Sequence, residues 1–150
     1  MKTNELFDTD DILADGDVRA LFKTRTVRES DVVVKQGDSG TDLFIVQDGQ
    51  FVVTDEKGGG RILDSLGPGD VFGEMAFLGG DERSATVKAN TDASLLALSR
   101  KPFVSFLKEQ SVSGLKFLLY LEKLMAERLR KADSLRMLIS DDSDLGKKKE

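Results

Sequence analysis

The sequence predicts an α+β, mainly β, fold: an eight-stranded antiparallel β-roll or jelly-roll barrel with helices at both ends. From Thr24 to about Arg100, short apolar runs alternate with Gly and Asp turns. That pattern is typical of a sandwich or barrel of short strands. An apolar stripe at helical spacing runs from Leu115 to Leu135, which predicts a long C-terminal helix. The 150 residues suffice for one domain with a proper core.

The strands are assigned from the apolar runs that lie between turns, at 32–34, 43–46, 51–53, 62–66, 71–72, 85–89 and 94–98. Asp48-Gly49 predicts a hairpin between two of them, because tight primed turns require positive φ. The run from Gly58 to Gly60 lacks both the Lys-Ser/Thr pair and the following helix of a phosphate loop. We therefore interpret it as a hairpin tip.

The helices and flexible ends set the domain boundaries. We expect a flexible N-terminus at 1–9, a domain at 10–138 and a disordered charged tail at 139–150, which lacks periodicity. Within the domain, the β-roll spans 24–100 and the C-terminal helices span 101–138, where Pro102 suits a first helical turn. Before the β-roll, Val18, Leu21 and Phe22 share one face of a short helix and are expected to dock on the domain.

Composition excludes several classes of protein. The net charge of −5 argues against a nucleic-acid partner. No apolar window approaches the ~20 residues of a membrane span, and no secretory signal opens the chain, so we expect a cytoplasmic protein. The sequence has no Cys and no His, which removes thiol nucleophiles, Ser-His-Asp catalysis and ordinary catalytic zinc sites. We predict no catalytic residue, no metal ligand and no cofactor.

The segment FGEMAFLGGDERSATV, residues 72–87, supports two interpretations. Its centre, Gly79-Gly80-Asp81-Glu82, matches the start of a signature of enzymes that make a cyclic dinucleotide. Such an enzyme needs metal-binding carboxylates on an alternating α/β scaffold, whereas this segment lies among predicted β-strands. A four-residue match of common turn residues is a weak signal, and a surface turn explains it.

The ends of the same segment indicate a phosphate site. Gly73 permits close backbone approach to a ligand, and the N–H groups of the next turn, at Glu74, Met75 and Ala76, are free to face an anion. Arg83 offers a planar fork of donors that matches phosphate oxygens. Ser84 adds a hydroxyl, and Ala85 adds a free N–H. Because a carboxylate repels phosphate, Glu74 indicates a ligand that also carries a hydroxyl donor, such as a ribose 2′-OH. An ordinary surface pair of Glu74 with Arg83 is the simpler alternative.

This frame resembles the phosphate-binding cassette of cyclic nucleotide-binding domains, the sensor domains of catabolite activator proteins, kinase regulatory subunits and gated channels. Residues 34–46 (VKQGDSGTDLFIV), 47–53 (QDGQFVV) and 67–74 (GPGDVFGE) resemble other stretches of that family in the same order. The resemblance covers roughly residues 10–138. It implies that Glu74 accepts the ribose 2′-OH and that Arg83 holds the cyclic phosphate, aided by Ser84 and by the N–H groups of Ala76 and Ala85.

The resemblance also implies roles for the long helix. In the family this helix covers the purine and moves when ligand binds, and alignment through MAERLRKADS gives four candidate purine-cover residues: Arg128, Ala132, Asp133 and Ser134. Activator proteins dimerise through the same helix, so we expect a homodimer. The alternative is that the apolar stripe packs on the chain's own β-roll, and a stripe of this length could do both. The chain stops soon after Leu138, leaving no room for a helix-turn-helix. We therefore expect a stand-alone cyclic nucleotide sensor, without a DNA-binding or catalytic domain, that acts on an effector protein or through another copy of itself. The alternative is that the chain is a fragment of a longer protein.

Three hypotheses follow from the sequence. The first is a sensor for cAMP or cGMP, with the choice between them, or a cyclic dinucleotide, left open. The second is a ligand-free scaffold of the same fold that uses the long helix for dimerisation or partner binding. The third is the cyclase suggested by residues 79–82.

Overall fold

The computed structural model describes residues 9–80 and 82–148, with side chains described as far as Arg130. Eight strands form its centre: β1 (Lys23–Val27), β2 (Val32–Val34), β3 (Leu43–Asp48), β4 (Phe51–Asp55), β5 (Arg61–Leu66), β6 (Val71–Phe72), β7 (Thr86–Ala89) and β8 (Ala93–Leu98). The helices are α1 (Thr9–Ala14), α2 (Gly16–Arg19), α3 (Glu74–Gly79), α4 (Arg100–Glu109) and α5 (Ser111–Lys148). The predicted mainly β fold with flanking helices is confirmed.

The strands form two four-stranded antiparallel sheets. The first sheet has the order β1-β8-β3-β6, and the second has the order β2-β7-β4-β5. Strands adjacent in sequence are mostly divided between the sheets, as the roll requires. The exception is the pair β4 and β5, which is joined through a 3-10 turn at Glu56–Gly58. Gly59 and Gly60 follow with φ of +78° and +80°, so the predicted hairpin tip is confirmed.

The predicted hairpin at Asp48-Gly49 is wrong. β3 pairs with β6 and β8, whereas β4 pairs with β5 and β7, so this turn carries the chain from one sheet to the other. A Cβ on Gly49 would lie 2.4 Å from the Cβ of Ala93, where β8 begins. Glycine is needed there for a positive φ of +90° and for that close approach, and both needs arise at a corner as well as in a hairpin.

The apolar core has two parts. One lies between the sheets and contains Phe44, Phe51 and Phe72, with the rings of Phe44 and Phe72 stacked at 5.0 Å. The other lies between the outer face of the first sheet and the helices, around Phe103 and Phe117, whose rings are also 5.0 Å apart. This second core fixes α4 and the first half of α5 against the roll.

The N-terminal helices dock as predicted. Val18 and Phe22 are buried in the second core, and Leu21 packs against it. Asp15 caps α2 by accepting from the backbone N–H groups of Asp17 and Val18. Of the predicted flexible segment 1–9, residues 1–8 lie outside the described part of the chain.

The C-terminal helices differ in extent from the prediction. A break at Gln110 separates α4 from α5, and α5 continues to Lys148 rather than ending near Leu138. The predicted disordered tail is thus helical as far as the description reaches, and residues 149–150 lie beyond it. No proline follows Leu138, so every residue of the tail has a backbone N–H for the helical hydrogen bonds. No helix in the described residues is both long and apolar enough to cross a bilayer.

Candidate functional site

The site begins where the short strand β6 turns into α3. Gly73 lies at this junction with φ of +84°, in the left-handed region. A Cβ there would lie 2.7 Å from the carbonyl oxygen of Asp42 and 2.9 Å from the guanidinium of Arg83. Glycine is therefore required both by the backbone angle and by the lack of space. The carbonyl of Gly73 accepts the first helical bond of α3, from Phe77, at 3.0 Å. This turn directs Glu74 inward, where only 6% of the residue is exposed.

Arg83 approaches the same point from the opposite direction. Its backbone is fixed to the loop before β3, because its N–H donates to Asp38 and its carbonyl accepts from Gly37, both at 2.9 Å. Its side chain is buried, with 8% of the residue exposed. The guanidinium donates to the Gly73 carbonyl at 3.4 Å and lies 5.9 Å from the centre of the Phe44 ring.

The electrostatics around Arg83 favour an anion. Burial lowers the pKa of the Arg83 guanidinium below its usual value, and the negative charges of Asp42 and Glu74 partly offset that shift. An arginine stays charged even so, and it carries five N–H donors in a rigid fork. Gly40 packs beside the guanidinium, where a Cβ would come within 3.2 Å of it. A buried, charged fork of this kind suits the planar recognition of a phosphate.

Glu74 and Arg83 line one cavity of about 180 Å³. All seven residues predicted for ribose and phosphate binding contribute to its wall: Gly73, Glu74, Met75, Ala76, Arg83, Ser84 and Ala85. Its apolar wall comes from strands of the second sheet and from β6, with Val53 and Val87 among the contributors. The structure therefore brings the predicted set together, around a space with an apolar side and a cationic end.

Arg128 reaches this cavity from α5. Its guanidinium donates to Oε1 of Glu74 and to the carbonyl of Val71. The side chain of Glu74 is 8% exposed and that of Arg128 is 37% exposed, so the pair lies at the boundary between cavity and solvent. Arg128 therefore holds α5 against the turn that carries Glu74. It also lines the cavity, and its role as a purine cover stays a prediction.

The cavity is small for a ligand site. About 180 Å³ is less than the ~300–1,000 Å³ of typical small-molecule pockets. Arg128 contributes to the wall on the side of α5, so its position limits the space. An apolar groove between α3 and α5, lined by Met75, Leu78 and Leu129, adjoins it on the outside.

The other candidate residues are the remaining purine-cover positions and the GGDE string at 79–82. Ala132, Asp133 and Ser134 belong to α5, but their side chains lie outside the described residues. Gly79 ends α3 and Gly80 caps it with φ of +72°, so the first half of the GGDE string is a helix terminus. Asp81 lies outside the described residues, and Glu82 lines the cavity beside Arg83.

Several residues of the cavity wall have no recognisable functional signal in the sequence. Val53, Leu66 and Val87 line it from the strands, and they were recognised only as members of apolar runs. Asp64 also lines it, although an acidic residue within a strand gave no signal. Asp42, the charged neighbour of Arg83, was missed because 41 positions (83 − 42) separate the two residues in the sequence.

The sequence of the chain is similar to those of known proteins. The sequence model of a family described as the cyclic nucleotide-binding domain matches residues 24–110. A cyclic AMP receptor protein of Thermus thermophilus is 36% identical over 114 residues, which are 75% of this chain and 51% of that protein. A cGMP-dependent protein kinase of Plasmodium berghei is 37% identical over 86 residues, which are 56% of this chain and 10% of the kinase.

A solved structure gives the same picture. The crystal structure of a cyclic nucleotide-binding domain from Methylobacillus flagellatus superimposes with a TM-score of 0.73 at 25% identity, covering 77% of this chain and 68% of that one. The chain spans about half the length of the Thermus receptor and a tenth of the Plasmodium kinase.

Proposed function

Because the chain belongs to the cyclic nucleotide-binding domain family, we propose that its cavity binds a 3′,5′-cyclic nucleotide and that the domain is a regulatory module rather than an enzyme. The observation that carries this proposal is the buried guanidinium of Arg83 at the end of a cavity that also presents the carboxylate of Glu74. A cation and an acceptor on one wall suit a ligand with a phosphate and a neighbouring hydroxyl. The predicted cytoplasmic location belongs to the same proposal.

Each residue has a role in the proposed complex. Arg83 pairs with the cyclic phosphate, and the Ser84 hydroxyl and the N–H groups of Ala76 and Ala85 donate to its oxygens. Glu74 accepts the ribose 2′-OH. A cyclic phosphate carries one negative charge, which one arginine can neutralise without a metal ion.

The position of α5 supports a ligand-gated switch. The cavity is small while Arg128 bonds to Glu74 and Val71, and the nucleotide needs the same carboxylate. We propose that binding releases Arg128 and lets α5 move outward at its far end. The exposed side chains of Met75 and Leu78 lie between α3 and α5 and transmit this movement. The free energy available for the movement is the difference in ligand affinity between the two helix positions.

Calorimetric titration of nucleotide-free protein with cAMP and with cGMP tests the binding proposal. Arg83→Ala removes the charged donors, each of which contributes about 1.5–3 kcal/mol, so affinity should fall roughly 10- to 100-fold or more. Arg25→Ala is the matched control, because Arg25 is an exposed arginine on β1, outside the cavity. Equal affinity in the two variants, or no binding of either nucleotide to folded protein, contradicts the proposal.

A second candidate function has its own observation. The first half of α5 exposes several large apolar side chains: Val112, Leu115, Leu119 and Leu129. Such a row favours contact with another helix, so we also propose a homodimer or an effector complex through α5. Sedimentation analysis of the native chain and of a Leu115→Glu/Leu119→Glu variant tests it. A native monomer at high micromolar concentration would rule out the dimer.

A further inference from the structure

We infer that Asp64 reads the base of the bound nucleotide and that the cavity prefers guanine, so that cGMP binds more tightly than cAMP. This inference rests on the proposed nucleotide binding and concerns the same cavity. The register of the second sheet places the carboxylate of Asp64 at the end of a row of valines.

The row crosses all four strands of the second sheet. Val34 of β2 pairs with Val87 of β7, Val87 pairs with Val53 of β4, and Val53 pairs with Asp64 of β5. Directly opposed residues of antiparallel strands point to the same face of a sheet. All four residues line the cavity, so that face is the cavity wall. Three valines thus form an apolar surface, and a carboxylate ends it at the edge strand.

The row sets the distance from the cationic end. Arg83, Ser84 and Ala85 immediately precede β7, so the proposed phosphate end of the cavity lies near the β7 position of the row. Two strand spacings of about 4.8 Å separate β7 from β5, which places Asp64 about 10 Å farther along. A ligand held at Arg83 and lying along the valines therefore directs its far edge toward Asp64.

Asp64 is placed to accept hydrogen bonds. Asp64 is exposed at the edge strand, and one of its carboxylate oxygens accepts from the backbone N–H of Ser65 at 2.8 Å, which orients the carboxylate. Both oxygens keep lone pairs that can accept from a ligand. The other carboxylates on the described cavity wall are committed elsewhere. Glu74 pairs with Arg128, and Glu82 is adjacent to Arg83 at the phosphate end. Asp64 is the one that faces the position of the base.

The chemistry of the two purines decides the preference. Guanine presents its N1–H and its N2 amino group side by side, a pair of donors that matches the two oxygens of a carboxylate. Adenine presents one amino group beside N1, which is itself an acceptor and is repelled by a carboxylate. The predicted order of affinity is therefore cGMP, then cIMP, which keeps N1–H but lacks the N2 amino group, and then cAMP.

The test is calorimetric titration of the nucleotide-free protein with cGMP, cIMP and cAMP, repeated for Asp64→Asn and for Asp48→Asn. Asp48 is an exposed aspartate on β3, outside the cavity, so its variant loses the same charge without touching the wall. We expect cGMP to bind roughly tenfold more tightly than cAMP, as the net loss of about one hydrogen bond to a charged group implies. This ratio should fall to near one in Asp64→Asn and remain in Asp48→Asn.

Two results overturn the inference while leaving nucleotide binding intact: tighter binding of cAMP by the native chain, or a cGMP preference unchanged in Asp64→Asn. Failure of all three nucleotides to bind folded protein is a different result, because it refutes the proposed function and the inference with it. The comparison of ligands on the native chain needs no variant, so a folding defect in Asp64→Asn cannot obscure the outcome.

Discussion

Arg128→Met separates the helix contact from the nucleotide site. The substitution keeps a long apolar side chain and removes the guanidinium that bonds to Glu74 and to the Val71 carbonyl. Glu74, Arg83 and the turn between them are left intact. If α5 restricts the cavity through this contact, the variant should favour the open helix position even without ligand.

The size of the effect follows from the two bonds. A hydrogen bond involving a charged group contributes about 1.5–3 kcal/mol, and exposure of one partner reduces that value. Since the Arg128 side chain is 37% exposed and that of Glu74 is 8% exposed, the two bonds together should contribute about 1–3 kcal/mol to the closed position of α5. That corresponds to a change of roughly 5- to 150-fold in the helix equilibrium.

Hydrogen exchange and calorimetry measure this change together. Backbone amides of α5 around Arg128 should exchange faster in ligand-free Arg128→Met than in the native chain, by up to the same factor. Affinity for the cyclic nucleotide should rise, because less free energy is then needed to open the cavity. Arg130→Met is the matched control, since Arg130 is an exposed arginine on the same helix outside the cavity wall. The reasoning is refuted if Arg128→Met matches Arg130→Met in both assays, or if its nucleotide affinity falls.

Gly73→Ala should lower the free energy of unfolding by about 1–3 kcal/mol and weaken nucleotide binding. The backbone at this position has a positive φ that a residue with a Cβ disfavours, and the new Cβ would lie 2.7 Å from the Asp42 carbonyl oxygen. Urea unfolding and nucleotide titration of the same sample check both effects, and a fully stable variant would contradict the close approach. Asp15→Ala should cost about 1 kcal/mol near neutral pH through loss of the α2 cap. A hydrogen bond from Ser113 of α5, followed by the backbone N–H groups of Val18 and Asp17, lowers the folded-state pKa of Asp15 below 3.8. The ionised Asp15 therefore contributes its full stabilisation above about pH 3.8, and this stabilisation is lost as the pH falls through the folded-state pKa. The difference in free energy of unfolding between the native chain and Asp15→Ala should therefore stay constant from pH 5 to 8 and become smaller in acid.

Local sequence signals predicted β2 to β8 because each of these strands contains an apolar run between turns. The sequence of β1, KTRTV, has no such run, so this strand was not assigned. The same signals did not predict how the strands pair. Asp48-Gly49 meets the backbone requirement of a hairpin, yet positive φ is needed equally where the chain leaves one sheet for the other. The choice depends on which distant strand lies beside β3, and no local pattern encodes that neighbour.

The residues of the cavity were likewise predicted only where they lie close together in the sequence. Spacing within residues 73–85 and the chemistry of Glu and Arg predicted seven residues that line one cavity in the structure. The sequence did not predict the contact between Arg128 and Glu74. These residues are 54 positions apart and meet only because α5 packs back over the roll. The sequence also did not predict Asp64 as a cavity residue, because its place at the end of the valine row depends on strand register.

The sequence by itself thus determined the order of the elements and the chemistry of the phosphate end. Both depend on residues close together in the chain, where periodicity and backbone preference act directly. Tertiary structure decided the pairing of the strands, the contact of Arg128 with Glu74 and the place of Asp64 at the end of the valine row. These depend on contacts between distant segments, and such contacts are fixed by the packing of the whole domain rather than by any short stretch of it.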